Sequence, residues 1–169
     1  GPRGGDELNR IVKGQNFGWP AISYGINYNG TIITDKTHEN GMLQPHYYWL
    51  PSIGVCAIEF YEGESFPRWR DNLLVASLRF GRLHRLQLEE GRVLHDEILF
   101  ESGRLRDIET GPDGLIYLAL EKPGRIAQDT ARIRITRLPG LKLRCPSSEA
   151  RKSPIPLAPL APKEAGRSR

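Results

Sequence analysis

Between residues 57 and 128 the sequence is a succession of short apolar runs, each four to nine residues long and each bounded by turn-forming residues. "AIEFY" is followed by "LLVASLR", "RLHRLQL", "RVLHDEILF", "RLRDIE", "LIYLAL" and "RIAQ", and the breaks between them carry Gly, Pro, Asp or Asn. Runs of this length with this punctuation read as strands joined by tight turns. No stretch carries the 3.6-residue apolar period of an amphipathic helix of ordinary length. The expected fold class is therefore all-β, with a sandwich, a barrel or a propeller as its architecture.

A weak internal echo favours the propeller. "WRDNLLVASLRFGRLHRL" and "GPDGLIYLALEKPGRI" share one order: a turn with Asp, an apolar strand, a Gly break and an Arg-bearing strand. Asp71 and Asp113 stand 42 residues apart, close to the period of about 40–45 residues of propeller blades. A closed propeller needs at least about four blades, or about 160 residues. The patterned body, residues 1–127, has room for about three. The expectation is either another fold or a partial ring. The chain opens on "GPRGGDELNRI" without Met and reads as the middle of something longer.

Charge divides the chain in the same place. Residues 1–127 hold 14 basic and 17 acidic side chains, whereas residues 128–169 hold 10 basic and 3 acidic. The near-neutral body argues against a nucleic-acid face. There is no run of about 18 apolar residues that could span a membrane, and no signal peptide at the start. Residues 128–169 are expected to form a divergent, Pro/Arg-rich tail, disordered over about 138–169, where Pro, Ser, Ala and Arg follow neither strand nor helix period. Cys56 and Cys145 read as two free thiols rather than a disulfide.

Two stretches carry candidate chemistry. In "GPRGGDELN" a glycine-rich loop precedes the acidic pair Asp6-Glu7. Its backbone can approach a ligand or ion closely, or it can be a connection packed on Trp19 in the neighbouring "GQNFGWP". In "GRLRDIETGPDGLIYLAL", Arg104 and Arg106 stand two apart before a turn and an apolar strand. Residues i and i+2 of a strand share a face. The pair is either a solvated strand face or a site for a ligand with several carboxylates, which arginine forks bind bidentately.

The stretches "GPRGGDELNRIVKGQNFGWP", "YGINYNGT", "QPHYYWLPSIG", "FPRWRDNLLVASLRFGRLHRLQL" and "GRLRDIETGPDGLIYLAL", in this order, resemble the soluble quinoprotein sugar dehydrogenases, also called glucose/sorbosone dehydrogenases, over residues 1–127. The resemblance implies part of a six-bladed β-propeller, its last three blades or so. It implies pyrroloquinoline quinone and calcium as cofactors, and oxidation of the C1 hydroxyl of aldose sugars to lactones, with an external electron acceptor and a periplasmic or secreted location. Residue by residue it implies that Gly1 and Pro2 ligate calcium through backbone carbonyls, the hard oxygen ligands calcium prefers, with Asp6 holding that loop in shape. Arg79 falls where the family places a cation against the quinone, and Arg104 and Arg106 match the arginine pair on the cofactor. Tyr47 and Trp49 line the sugar entrance or pack the core.

The departures from the family pattern are equally specific. The family's catalytic histidine lies upstream of Gly1, and none of His38, His46, His84 and His95 falls in a matching motif, so no catalytic base is assigned. Beyond "EKPGRI" the sequence diverges. The chain alone is expected to be inactive. A non-catalytic, propeller-derived binding module is the alternative.

Overall fold

The computed structural model describes residues 2–121, 125–129 and 134–136. Apart from one 3-10 turn at Pro67–Trp69, every helix or strand among them is a strand, and none is a helix long enough to cross a membrane. β1 (Asp6–Leu8) pairs antiparallel with β2 (Tyr47–Trp49). β3 (Val55–Phe60), β4 (Leu73–Ser77), β5 (Arg82–Glu89) and β6 (Arg92–Glu101) form a four-stranded antiparallel meander. β7 (Leu105–Thr110), β8 (Ile116–Leu120), β9 (Arg125–Asp129) and β10 (Arg134–Thr136) form a second. The expected all-β class holds, but the second sheet runs past residue 127 into the stretch expected to be tail, because Arg134–Thr136 pairs antiparallel with β9. Residues 138–169 and Cys145, with the tail and thiol expectations attached to them, lie outside the described residues, as does Gly1.

The two meanders are built alike. Asp71 and Asp113 each stand in the turn that leads into the second strand of their sheet, which is the physical content of the sequence echo. At Asp113 the turn is closed by its carboxylate, which accepts hydrogen bonds from Leu115 N at 3.1 Å and Tyr117 Oη at 2.8 Å.

β4 lies between two cores, and all five of its residues are buried. Alternate side chains point to opposite faces of a strand, so "LLVAS" feeds both. Leu74 and Ala76, with Leu83, pack against Leu105, Ile108, Ile116, Leu118 and Leu120 of the second sheet. Leu73 and Val75, with Leu86, pack against Trp49 and Ile53 on the β1–β2 side. A strand buried on both faces reads as a continuous apolar run, which explains why this one shows no alternation.

Close contacts mark both ends of the pair of sheets. At one end Gly81, with φ +60°, accepts a hydrogen bond from Ser102 N at 2.9 Å, and a Cβ there would overlap the Ser102 and Gly103 carbonyl oxygens. At the opposite end the buried Tyr61 hydroxyl donates to Gly114 O at 2.6 Å and accepts from Phe66 N at 3.0 Å. The Cys56 thiol, 3.2 Å from both Ala76 O and Leu105 O, marks the end of β4 beside the start of β7.

Because Leu74 is fully buried in the inter-sheet core, Leu74→Ala is expected to destabilise the chain by about 2–5 kcal/mol. Leu94→Ala, at a position 54% exposed, is expected to change stability by less than about 0.5 kcal/mol. Urea unfolding of the two variants beside the parent checks this; equal losses would contradict the placement of the core.

Candidate functional site

Three arginines singled out from the sequence emerge at the Gly81 end of the two sheets. Arg79 follows β4, and Arg104 and Arg106 stand at the start of β7. The ladder slips between Leu105 and Asp107, yet the i, i+2 spacing still aims both forks one way. Arg104 Nε lies 3.3 Å and Arg106 Nη2 2.8 Å from the same oxygen, Oε2 of Glu121. Asp107 turns back and accepts from the amide of Ile108 at 3.0 Å. Both guanidinium groups are substantially exposed, so the ion pairs add little stability. The arrangement demonstrates that the pair can converge on one carboxylate.

Glu121 was not singled out by the sequence reading. The signal for it lies in the hairpin: Leu105 pairs with Leu120, which sets Arg104 opposite Glu121, and Glu121 N donates to Arg104 O at 2.9 Å. Counting outward from the "TGPDG" turn would have reached it.

Arg79 is held differently. Its Nη1 donates to Ser52 O at 3.3 Å, and its guanidinium lies 4.8 Å from the Phe80 ring centroid. Arg82 lies over the same ring at 4.9 Å and is paired with Glu101 at 2.6 Å. Among the described residues Arg79 makes no ion pair with a carboxylate. Between Arg79 and the arginine pair lies Cys56. Its thiol donates to Ala76 O and Leu105 O, both at 3.2 Å, and burial pushes its pKa up to about 11, so it stays protonated at neutral pH.

The glycine-rich loop folds against the same rim. Gly4 and Gly5 take φ values of +96° and +67°, which glycine adopts without strain. Arg3 and Ile26 exchange backbone hydrogen bonds at 2.8 and 3.0 Å, and a Cβ on Gly25 would overlap the Gly4 carbonyl and crowd Pro2. Trp19 is 68% exposed, so the loop is not a connection packed on that ring. Asp6 Oδ2 accepts from Ser52 Oγ at 2.8 Å, Ile53 N at 3.0 Å and Gly54 N at 2.7 Å.

Tyr47 and Trp49 are brought together, edge to face at 5.0 Å, on one part-buried carboxylate. Asp96 Oδ2 accepts from Trp49 Nε1 at 3.0 Å and Tyr47 Oη at 3.3 Å, while its Oδ1 pairs with His84 Nδ1 at 2.7 Å. Trp49 is 6% exposed and packs the core. Tyr47 is half-buried and also borders a cleft of about 490 Å³ with Tyr24, His46, Tyr48 and Leu50. His84 is buried and its Nε2 finds no partner among the described residues. Neither Asp96 nor His84 was assigned a role from sequence, because only the β5–β6 register brings them together.

The family model for glucose/sorbosone dehydrogenase matches residues 1–128. The chain belongs to the glucose/sorbosone dehydrogenase family. It is 39% identical over 126 residues to the aldose sugar dehydrogenase YliI of Escherichia coli (strain K12), covering 72% of this chain and 34% of that protein. A crystal structure of a glucose dehydrogenase superposes with a TM-score of 0.67 at 38% identity, over 80% of this chain and 38% of that one. The pyrroloquinoline quinone-bound form of an aldose sugar dehydrogenase from Streptomyces coelicolor shares the fold, with a TM-score of 0.55 at 23% identity. The chain thus spans about a third of the length of the relatives it matches.

For a member of this family, the donor set at the rim fits a polycarboxylate anion: three guanidinium groups at one end of two sheets, two of them already on a carboxylate. The described residues contain no cluster of three His, Cys, Asp or Glu side chains suited to a metal. Main-chain carbonyls, such as those of the glycine-rich loop, are the donor type calcium accepts.

The Asp96 cluster makes a prediction of its own. Burial works to raise the Asp96 carboxyl, but the hydrogen bonds from His84, Trp49 and Tyr47 outweigh it and hold the carboxyl below the usual carboxylate range. A carboxyl depressed on folding contributes stability that is present above the unfolded value of about 4 and is lost as pH falls through the folded value. Asp96→Asn is therefore expected to be less stable than the parent near pH 7, with the gap narrowing below about pH 4. Urea midpoints across that range measure it, and a gap independent of pH would contradict the assignment.

Proposed function

We propose that this chain supplies the C-terminal part of a pyrroloquinoline quinone-dependent dehydrogenase that oxidises the C1 hydroxyl of aldose sugars to lactones. In this reading its rim forms the anion-binding side of the cofactor site. The observation that carries the proposal is the convergence of Arg104 and Arg106 on one carboxylate oxygen of Glu121. A flat ligand bearing three carboxylates presents the same group to the same forks. The name of the Streptomyces coelicolor neighbour, bound to this quinone, supports the choice of ligand, and the E. coli relative supports the choice of substrate.

The two meanders are blades of a six-bladed β-propeller, and β1–β2 belongs to a third. One detail of the first sheet supports this. Its face beyond β1–β2 leaves Ile58 and Phe60 half-exposed, although their cross-strand partners Val75 and Leu73 are buried. A neighbouring blade would cover them.

The bound quinone supplies a hydride acceptor for the sugar C1. Arg104 and Arg106 hold cofactor carboxylates bidentately. Arg79, with no carboxylate partner among the described residues, stands free to stabilise negative charge on oxygen as it develops. The main-chain carbonyls of Gly1 and Pro2 would hold calcium. Tyr47 forms one wall of the sugar entrance, held upright by Trp49 and by its hydrogen bond to Asp96. None of the chain's histidines takes the proton from the sugar hydroxyl: His84 is shut into the core against Asp96. That base belongs to the part of the relatives this chain does not span, as does the docking of an external electron acceptor. A periplasmic or secreted setting goes with this chemistry.

Two measurements test the reading. Titration of the protein with pyrroloquinoline quinone in the presence of calcium is expected to show saturable binding. Arg106→Ala is expected to weaken it about tenfold or more, as loss of one charge-assisted contact implies. Arg106→Lys should recover only part, because a point charge lacks the fork. Absence of binding, or affinity indifferent to Arg106, would overturn the assignment. Supplied with quinone, calcium, glucose and a dye acceptor, the chain alone is expected to turn over far below the rate of about 1 per second at the low end for enzymes; turnover at that rate would contradict the placing of the base elsewhere.

A further inference from the structure

We propose that Asp6 is a positioning residue for Arg79, acting through the turn at residues 52–54 and tying the glycine-rich loop to the cationic rim. The inference deepens the functional reading above and rests on it for the role of Arg79.

The chain of contacts is short and complete. Asp6 opens β1 opposite Trp49, so its side chain reaches the segment just past the end of β2. There a single oxygen, Oδ2, accepts three hydrogen bonds, from Ser52 Oγ at 2.8 Å and from the amides of Ile53 and Gly54 at 3.0 and 2.7 Å. Gly54 takes φ +65°, which turns successive amides toward one point and makes the concave nest that binds an anion. The other edge of the same turn presents its carbonyls to the segment after β4. Ser52 O accepts from Arg79 Nη1 at 3.3 Å, Ile53 O from Arg79 N at 2.9 Å and Gly54 O from Leu78 N at 2.8 Å. Arg79 is therefore hung on this turn by both its backbone and its guanidinium. The turn in turn is gathered by one carboxylate whose own backbone continues the Gly4-Gly5 bend.

Only a short acidic side chain satisfies this arrangement. A neutral amide in its place would offer one acceptor oxygen without charge, and hydrogen bonds to a charged acceptor are about twice as strong as neutral ones. With the turn loosened, the Arg79 guanidinium loses its anchor while Arg104 and Arg106, held by Glu121 on the second sheet, keep theirs.

The test has one arm that needs no cofactor. In Asp6→Asn, amide hydrogen exchange at Ile53, Gly54, Leu78 and Arg79 is expected to speed up at least tenfold, with the amides of β7 and β8 unchanged. Unchanged exchange at Leu78 and Arg79 overturns the proposal whatever the quinone does. The second arm is a pair of double-mutant cycles on quinone affinity. Asp6→Asn should weaken binding at least fivefold in the parent, do nothing further in an Arg79→Ala background, and keep its full effect in an Arg106→Ala background. An effect that survives Arg79→Ala would mean that Asp6 acts on the fold in general, and would overturn the proposal. If the parent fails to bind quinone, the functional reading falls and the exchange arm still decides the positioning claim. Should Asp6→Asn not fold, Asp6→Glu, which keeps the charge and displaces it by one methylene, carries both arms with the same expected outcomes.

Discussion

Burial of β4 on both faces is the constraint from which the rest of the structure follows. "LLVAS" contributes Leu74 and Ala76 to the core between the two sheets and Leu73 and Val75 to the core beneath β1–β2. The strand is thus the shared wall of both. Burying a large aliphatic side chain is worth about 1.5–3 kcal/mol, so a strand with several of them fixes its own position strongly. Fixing it fixes its end. The segment after Ser77 must emerge beside the start of β7, where Gly81 is pressed against the Ser102 and Gly103 carbonyls. Arg79 and the Arg104–Arg106 pair, 25 or more residues apart in sequence, arrive at one rim as a consequence of apolar packing that involves none of them.

Concentrating guanidinium groups at one rim costs Coulomb energy, which water and Glu121 partly offset. The cost is modest because the groups are exposed, and it leaves the rim preorganised for an anion. Preorganised charge is worth more to a ligand than charge that must be gathered on binding. Asp6 and Asp96 play the complementary part. Each is an acidic side chain that accepts three hydrogen bonds from groups distant in sequence, and each stiffens the neighbourhood of a residue assigned to the site: Asp6 the turn that carries Arg79, and Asp96 the pair Tyr47–Trp49.

Much of this was legible in the sequence, and the part that was not has a common physical cause. The strands from β3 to β9 were readable because each is a short apolar run between turn residues, whereas β10, in the stretch expected to be tail, was not. The 42-residue echo from Asp71 to Asp113 was readable because the two sheets repeat one turn. Arg104 and Arg106 were readable as a pair because strand geometry places i and i+2 on one face. Glu121, Asp96 and the partners of Asp6 were not, since each meets its partner only through strand register or sheet docking. A lone Glu after an apolar run, or a lone Asp in "RVLHDEILF", carries no local signal of what lies opposite. Trp49 shows the limit from the other side. An aromatic residue in "HYYWLP" fits a pocket wall and a core equally well, and only its 6% exposure places it in the core, with Tyr47 left at the cleft.

The central claim is that the rim carrying Arg79, Arg104 and Arg106 receives a polycarboxylate quinone. A crystal structure of the protein grown with pyrroloquinoline quinone and calcium tests it most directly. The account predicts quinone density at the Gly81 end of the two sheets, with its carboxylates on Arg104 and Arg106 in place of the Glu121 carboxylate and Arg79 facing the ring system. Quinone density elsewhere on the molecule, with the Arg104–Glu121–Arg106 contacts intact, would contradict it.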